Sequence, residues 1–342
     1  MKKIRPRITP DEYDIIQEVR TQHKALAKEC KEQGLPVEDV KHYWFKGKRF
    51  SIFSKPQQKS YEDVRDVIVA EMKKHAPVYP KIVYPKHKEA HLLVIDPADI
   101  HFGKLATAYE SGDDYNIKIA KKRVLEGVAG LLSKAQGFSI DKILFVIGND
   151  VLHIDNPQRK TTAGTPQDTD GMWFEAFLKA KETIVEVIES LIPIAPVHIQ
   201  YDPSNHDYMS GFYFADTINS WFHNCESVTF NTSISHRKYF KYGNSLIGTT
   251  HGDGAKTADL PLLMAQESAA DWSQTTHRYF YIHHLHHKIK NDHIGVTVES
   301  LRSASGTDSW HHRNGYQHAP KAVEGFIHSK KHGQIARLSH IF

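Results

Sequence analysis

Ile143-Leu144-Phe145-Val146-Ile147-Gly148-Asn149-Asp150-Val151-Leu152-His153 is the stretch of this chain that says most about its fold. Five consecutive apolar residues bounded by a Gly-Asn pair read as a strand buried on both faces. Gly and Asn favour the turn that ends it. An aspartate follows at once and a histidine three residues later. Sheets built from alternating strands and helices collect their ligands at such strand ends. The pattern recurs along the chain. The run 91–95 leads to Asp99-Ile100-His101-Phe102-Gly103-Lys104, and 197–201 leads to Ser204-Asn205-His206-Asp207. The run 245–249 leads to His251-Gly252-Asp253, and 279–282 leads to His284-Leu285-His286.

Amphipathic helices fit between these runs at 115–135, 170–192, 211–223 and 257–269. Further strands fit at 228–230, 238–242, 294–298 and 334–341, so part of the sheet structure is antiparallel. This alternation predicts a layered α/β domain over 81–342, with helices covering a sheet. The first 80 residues read as a separate small helical and hairpin module. Residues 9–33 form its helix, with Thr9 as cap and Pro10 in the first turn. A short element near 37–40, a helix at 60–75 and a proline-bearing connector at 77–85 complete it. Residues 43–53, with aromatics interleaved among Lys and Arg, read as a β-hairpin that either packs on helices or offers a nucleic-acid surface.

Composition narrows the class. The chain has 342 residues, 40% hydrophobic and 25% charged, ordinary for a globular protein. No stretch approaches the roughly 20 apolar residues of a membrane helix, and the basic N-terminus lacks the apolar run of a signal peptide. Cys30 and Cys225 are the only cysteines, which excludes a disulfide framework and a thiolate metal site and makes a cytoplasmic setting the expectation. Residues 1–60 hold 14 Lys and Arg against 8 Asp and Glu, whereas the whole chain is only +4. A basic front end on a slightly acidic body points to an acidic partner, with nucleic acid the leading expectation and no membrane. The oligomeric state is open.

The chain also carries 24 histidines, the commonest metal ligands and the side chains best suited to moving protons near neutral pH. Taken singly, each strand-end motif is an ordinary polar turn. Together they supply oxygen and imidazole donors without a cysteine among them. Asp99 and His101, two apart in extended chain, point to one side and can reach one ion. Such a donor set suits Mn²⁺, Fe, Zn²⁺ or Ni²⁺.

The set of Asp-x-His, Gly-Asn-Asp-x-x-His, Ser-Asn-His-Asp, a single His and a closing His-x-His resembles the calcineurin-like metallophosphoesterases over residues 90–300, which implies a sandwich of mixed β-sheets flanked by helices. Ser204 and His283 stand where that family usually has glycine, and Asn149 is an insertion before Asp150. These departures bear on loop geometry and remove no ligand. The resemblance implies two divalent ions about 3.5–4 Å apart, with Mn²⁺ leading, that activate water and neutralise a phosphate. Asp99, His101 and His286 would hold one ion, Asn205, His251 and His284 the other, with Asp150 bridging. His206 would protonate the leaving oxygen, oriented by Asp207 or another carboxylate. Asp253 would orient His251, or serve only as a turn residue.

Within the family, His153 and the Phe-Gly-Lys tail of the first motif are similar to the SbcD-type repair nucleases. A histidine at position 153 implies contact with the scissile phosphate and preference for diesters. Only 56 residues follow His286, fewer than the capping region of those nucleases, so neither their repair-complex role nor a coiled-coil ATPase partner carries over. The N-terminal module also resembles segments of phage-encoded phosphoesterases. Two segments could shape the substrate: the polar loop 155–169, with Arg159, Lys160 and Thr161, and the stretch 303–318, with Trp310, His311, His312, Arg313 and Tyr316. The expectation is a dinuclear phosphodiesterase cleaving DNA. The alternatives are a small-molecule phosphoesterase acting on nucleotides or cyclic nucleotides, and a scaffold that lost its metals.

Overall fold

The computed structural model describes residues 10–32, 37, 43–46, 51–54 and 76–342. The chain divides into two compact units, Met1–Glu71 and Met72–Phe342. In the first, the expected helix forms as α1 (Pro10–Glu32), and the hairpin as β1 (Tyr43–Lys46) and β2 (Ser51–Ser54), with Tyr43 opposite Ser54. The elements expected at 38–40 and 60–75 lie outside the described residues.

The second unit is built on two mixed sheets. The apolar runs form β3 (His91–Asp96), β4 (Ile140–Gly148) and β5 (Val197–Asp202), which pair in parallel and are joined by β6 (Val228–Asn231). Two antiparallel strands, β12 (Ala322–Ser329) and β13 (Gly333–Ile341), extend this sheet beyond β3, giving the order β13-β12-β3-β4-β5-β6. The other sheet centres on the parallel pair β8 (Ser245–Thr250) and β9 (His277–Ile282). It is flanked by β7 (Lys238–Tyr242), β10 (Ile289–His293) and β11 (Val296–Ser300), in the order β10-β11-β9-β8-β7.

Side-chain alternation along the strands sets the layers. Leu93, Ile95, Ile143, Phe145 and Ile199 point to one face and bury against α2 (Ile117–Lys134), α3 (Trp173–Leu191) and α4 (Tyr208–Trp221) through Val124, Leu131, Ile188 and Phe214. Their neighbours Leu92, Val94, Leu144 and Val146 point the other way and meet Ile247 and Tyr281 of the second sheet. That sheet's outer face, with Leu246, Phe280 and Val298, is covered by Leu260 and Met264 of α5 (Leu260–Glu267). The layers are helix, sheet, sheet, helix, as expected. Among the described residues no helix is long and apolar enough to cross a membrane.

One expectation needs correction, and two strands were not expected. The strand expected at 294–298 begins later, at Val296; Ile294 is fully exposed at the tip between β10 and β11, where Gly295 takes a φ of 78°. β10 escaped notice because its Ile-Lys-Asn-Asp-His sequence is almost wholly exposed. β12 escaped because Glu324 and His328 interrupt its apolar pattern, although both are fully buried. Glu324 is neutralised there by Arg302 and Arg337.

Two glycines let α2 lie close to the sheet. A Cβ on Gly127 would overlap Val323, and one on Gly130 would overlap His340. Gly127→Ala should therefore destabilise the chain by about 1–3 kcal/mol through overpacking, despite the ~1 kcal/mol that alanine gains in helix propensity. Urea unfolding measures the difference.

His328 supplies a pH test. It is fully buried, hydrogen-bonded to the Tyr281 hydroxyl at 2.9 Å, and burial followed by the charge of His277 pushes it down to about 3. An unfolded histidine titrates near 6.5. Between those values the folded chain binds fewer protons, so this contribution is complete above about pH 6.5 and is lost as pH falls, by about 1.4 kcal/mol per unit. The urea midpoint should drop between about pH 7 and about pH 5, and less steeply in His328→Gln.

Candidate metal centre

Every strand-end motif lies at the same end of the parallel strands. Asp99 and His101 follow β3, Asp150 follows β4, Asn205 follows β5, His251 follows β8, and His284 and His286 follow β9. Backbone hydrogen bonds lock neighbouring loops together. Asp99 N–H donates to the Asn149 carbonyl at 2.9 Å, His101 N–H to Asp150 at 2.8 Å and Phe102 N–H to Val151 at 2.8 Å. In the second sheet, His283 N–H donates to the His251 carbonyl at 2.9 Å.

The donors gather into two groups. Asp99, His101 and His286 bring ligand atoms within 4.8 Å of one another, and so do Asp150, His251 and His284. His101 Nε2 and His286 Nε2 are 3.4 Å apart, and Asp99 Oδ1 is 3.3 Å from the latter. In the second group His251 Nε2 sits 2.8 Å from Asn205 Oδ1 and 3.2 Å from Asp150 Oδ2. Asp150 Oδ2 is also 3.9 Å from His101 Nε2, which puts this carboxylate between the groups. Its Oδ1 accepts the His206 backbone N–H at 3.0 Å. Imidazole nitrogens aimed at each other and at buried carboxylates fit a shared cation well.

The electrostatics agree with that fit. Burial, followed by the charges of His206 and His153, holds His101 well below the ordinary imidazole value, in the neutral form that binds metal. Burial lowers His284 and His286 also. His251 differs: burial acts to lower it, but the Asp150 carboxylate outweighs this and pushes it up to about 9. A divalent ion in place of that proton would serve the same carboxylate.

The local backbone departs from the extended chain expected for the Asp99–His101 pair. Asp99, His101, Asn149, Asp150, His284 and His286 all have positive φ, between 47° and 68°. Each such non-glycine residue costs of order 1 kcal/mol. The side chains converge because tight left-handed turns aim them, not because i and i+2 alternate.

Further residues behave differently from expectation. The His206 ring is oriented by the main-chain carbonyl of His153, 3.0 Å from its Nδ1, and not by Asp207. Asp207 is fully buried and accepts from Leu152 N–H and Ser204 Oγ; burial, then the Asp150 charge, pushes it up to about 7. Asp253 is exposed and His251 Nδ1 has no hydrogen-bond partner among the described residues, so Asp253 does not orient that ring. His153 lies beside the first group, its Nδ1 3.3 Å from His101 Nδ1 and its ring stacked on His206 at 5.3 Å. Thr161 is buried and its hydroxyl accepts from Thr165 N–H, which helps to shape the loop. Arg159 and Lys160 are exposed on that loop, which meets the third motif where Thr162 N–H donates to the Asn205 carbonyl. Arg313 is exposed on a short helix, α6 (Ser309–Arg313).

The residues that depart from the expected motifs have their own work. Ser204 Oγ accepts from Asp150 N–H at 2.7 Å and donates to Asp207 Oδ1 at 2.6 Å. His283, fully buried, pairs with Asp96 Oδ1 at 2.9 Å beneath the site, and its Nδ1 lies 3.0 Å from the Thr250 carbonyl. Lys104, also buried, pairs with Asp308 at 2.7 Å. Apolar spacing gave no sign of these partners, because they come from distant parts of the chain.

No family model and no curated protein matches the chain. Among solved structures it is similar to an archaeal phosphodiesterase, at 9% identity over 74% of this chain and 99% of that one, with a TM-score of 0.36. It is also similar to YfcE, a phosphoesterase from E. coli, at 12% identity, 72% and 98% coverage and a TM-score of 0.33. Vps29 complexed with zinc, from Entamoeba histolytica, gives 12% identity, 73% and 98% coverage and a TM-score of 0.32.

Ser204 offers a test of how the site is held. Ser204→Ala leaves the buried Asp150 N–H without a partner and removes the hydrogen bond to Asp207 Oδ1, which should cost about 1–3 kcal/mol of stability in EDTA. Affinity for Mn²⁺ by calorimetric titration should fall roughly 10–100-fold, as for other supports of metal ligands.

Proposed function

We propose that this chain is a divalent-metal-dependent phosphodiesterase that hydrolyses nucleic acid, with DNA the leading substrate. The observation that carries the reading is Asp150 standing between two donor groups, each made of imidazoles and oxygen donors. Asp99, His101 and His286 would hold one ion, Asn205, His251 and His284 the second, and Asp150 both. Such a pair, when bound, supplies charge that neutralises the phosphate and makes water a usable nucleophile at neutral pH.

The chain's own residues do the rest. The His153 carbonyl fixes the His206 ring by accepting from its Nδ1–H, so that in the imidazolium form Nε2 would deliver a proton to the leaving oxygen and the ring would return to neutral. The His206 main-chain N–H meanwhile steadies Asp150 Oδ1, so the proton donor and the bridging carboxylate are set by one residue. His153, stacked on His206, would contact the scissile phosphate and favour a diester. The basic residues of 1–60 would add phosphate contacts that raise affinity without reading sequence.

A Mn²⁺ assay on single- and double-stranded DNA, RNA and a mononucleotide monoester tests the reading. Cleavage of polymer supports it; hydrolysis of the monoester alone overturns it in favour of a small-molecule phosphoesterase, and no bindable ion points to a scaffold. Asp150→Asn keeps the left-handed backbone but removes the shared charge, so metal binding by elemental analysis and turnover should both be lost. His206→Ala should retain metal and lower kcat roughly 10²–10⁴-fold.

A further inference from the structure

An aromatic ladder leaves the metal centre at His286. The His311 ring stacks on that of His286, with centroids 4.8 Å apart and planes within 15°. Trp310 meets His311 edge-on at 5.1 Å, and Tyr316 lies 5.6 Å from Trp310. Exposure rises outward, from 12% at the His286 side chain to 61% at Trp310 and 58% at Tyr316. His312 and Arg313, also exposed, lie on the same helical turn.

This ladder is fastened to the catalytic loops. Asp308 caps α6 by accepting the His311 N–H at 2.8 Å and also binds the His311 ring at Nδ1, 2.7 Å away. Its other oxygen takes the buried Lys104, three residues beyond His101 in the first motif. Large exposed aromatics on a short surface helix gain nothing in water. Here they are held at fixed spacing, starting on His286 of the first donor group.

We infer that Trp310 and Tyr316 form a stacking platform for the unpaired base next to the scissile phosphate, so that the substrate is a single strand or a frayed end. The inference rests on the phosphodiesterase reading and deepens it. A base inside a duplex already stacks on its neighbours and cannot reach a side chain, whereas an unpaired base presents a face to any flat ring. Rings stack on every base, so the platform selects unpaired nucleotides and not a sequence.

The test compares a labelled single-stranded oligonucleotide with an abasic strand of the same length and charge. Binding is read by fluorescence anisotropy in EDTA, and KM with Mn²⁺, using the full chain. Wild type should bind the base-bearing strand about tenfold more tightly and show a correspondingly lower KM. Trp310→Ala and Tyr316→Ala, both at exposed positions, should erase most of that preference. Equal binding of the two strands by wild type, or a preference that survives both substitutions, overturns the platform. Failure of wild type to cleave any phosphodiester overturns the activity instead, while the metal-free binding still decides the platform.

Discussion

The buried pair of Asp96 and His283 sets the height of everything above it. Asp96 is the last residue of β3 in one sheet; His283 directly follows β9 in the other and also reaches the end of β8 through the Thr250 carbonyl. Both side chains are fully buried. Burial acts to lower His283, but the Asp96 carboxylate outweighs it and raises the histidine instead. A buried ion pair is a poor source of stability, because both charges lose water. What this one provides is alignment: other polar contacts between the sheets, such as Gln200 to Thr249 and Tyr281 to His328, lie along the strands, whereas this pair ties the sheets where their parallel strands end. Asn149, in the turn that carries Asp150, extends the contact to His283 at 3.5 Å.

Above that pair the loops spend conformational energy to aim their side chains. Six residues at or beside the ligand positions adopt left-handed backbone, and hydrogen bonds between the Asp99 and Asp150 loops hold them there. Such strain persists only where the surroundings over-determine it. Ser204 contributes to that support from the third loop.

How much of this was legible depended on whether the signal was local. Uninterrupted apolar runs marked β3, β4, β5, β8 and β9, because strands covered on both faces admit little else. The donors at their ends were readable because each lies within a few residues of its strand. β10 and β12 were not readable: one is nearly all exposed, and the other hides a glutamate whose arginine partners come from elsewhere in the chain. Orientation failed for a similar reason. Asp207 and Asp253 were natural candidates by proximity in sequence, yet a main-chain carbonyl from another loop orients His206. The Lys104–Asp308 contact spans most of the second unit, and no spacing rule connects those residues.

The left-handed turns also constrain how this site could decay. Asparagine, aspartate and glycine tolerate positive φ better than other residues. A lineage released from its chemistry would thus accept asparagine or glycine at Asp99 or Asp150 more readily than a branched residue. Charge would vanish while the loops kept their shape. Descendants of such a chain would look intact in backbone and topology, and only the identity of the side chains would reveal that the ions had gone.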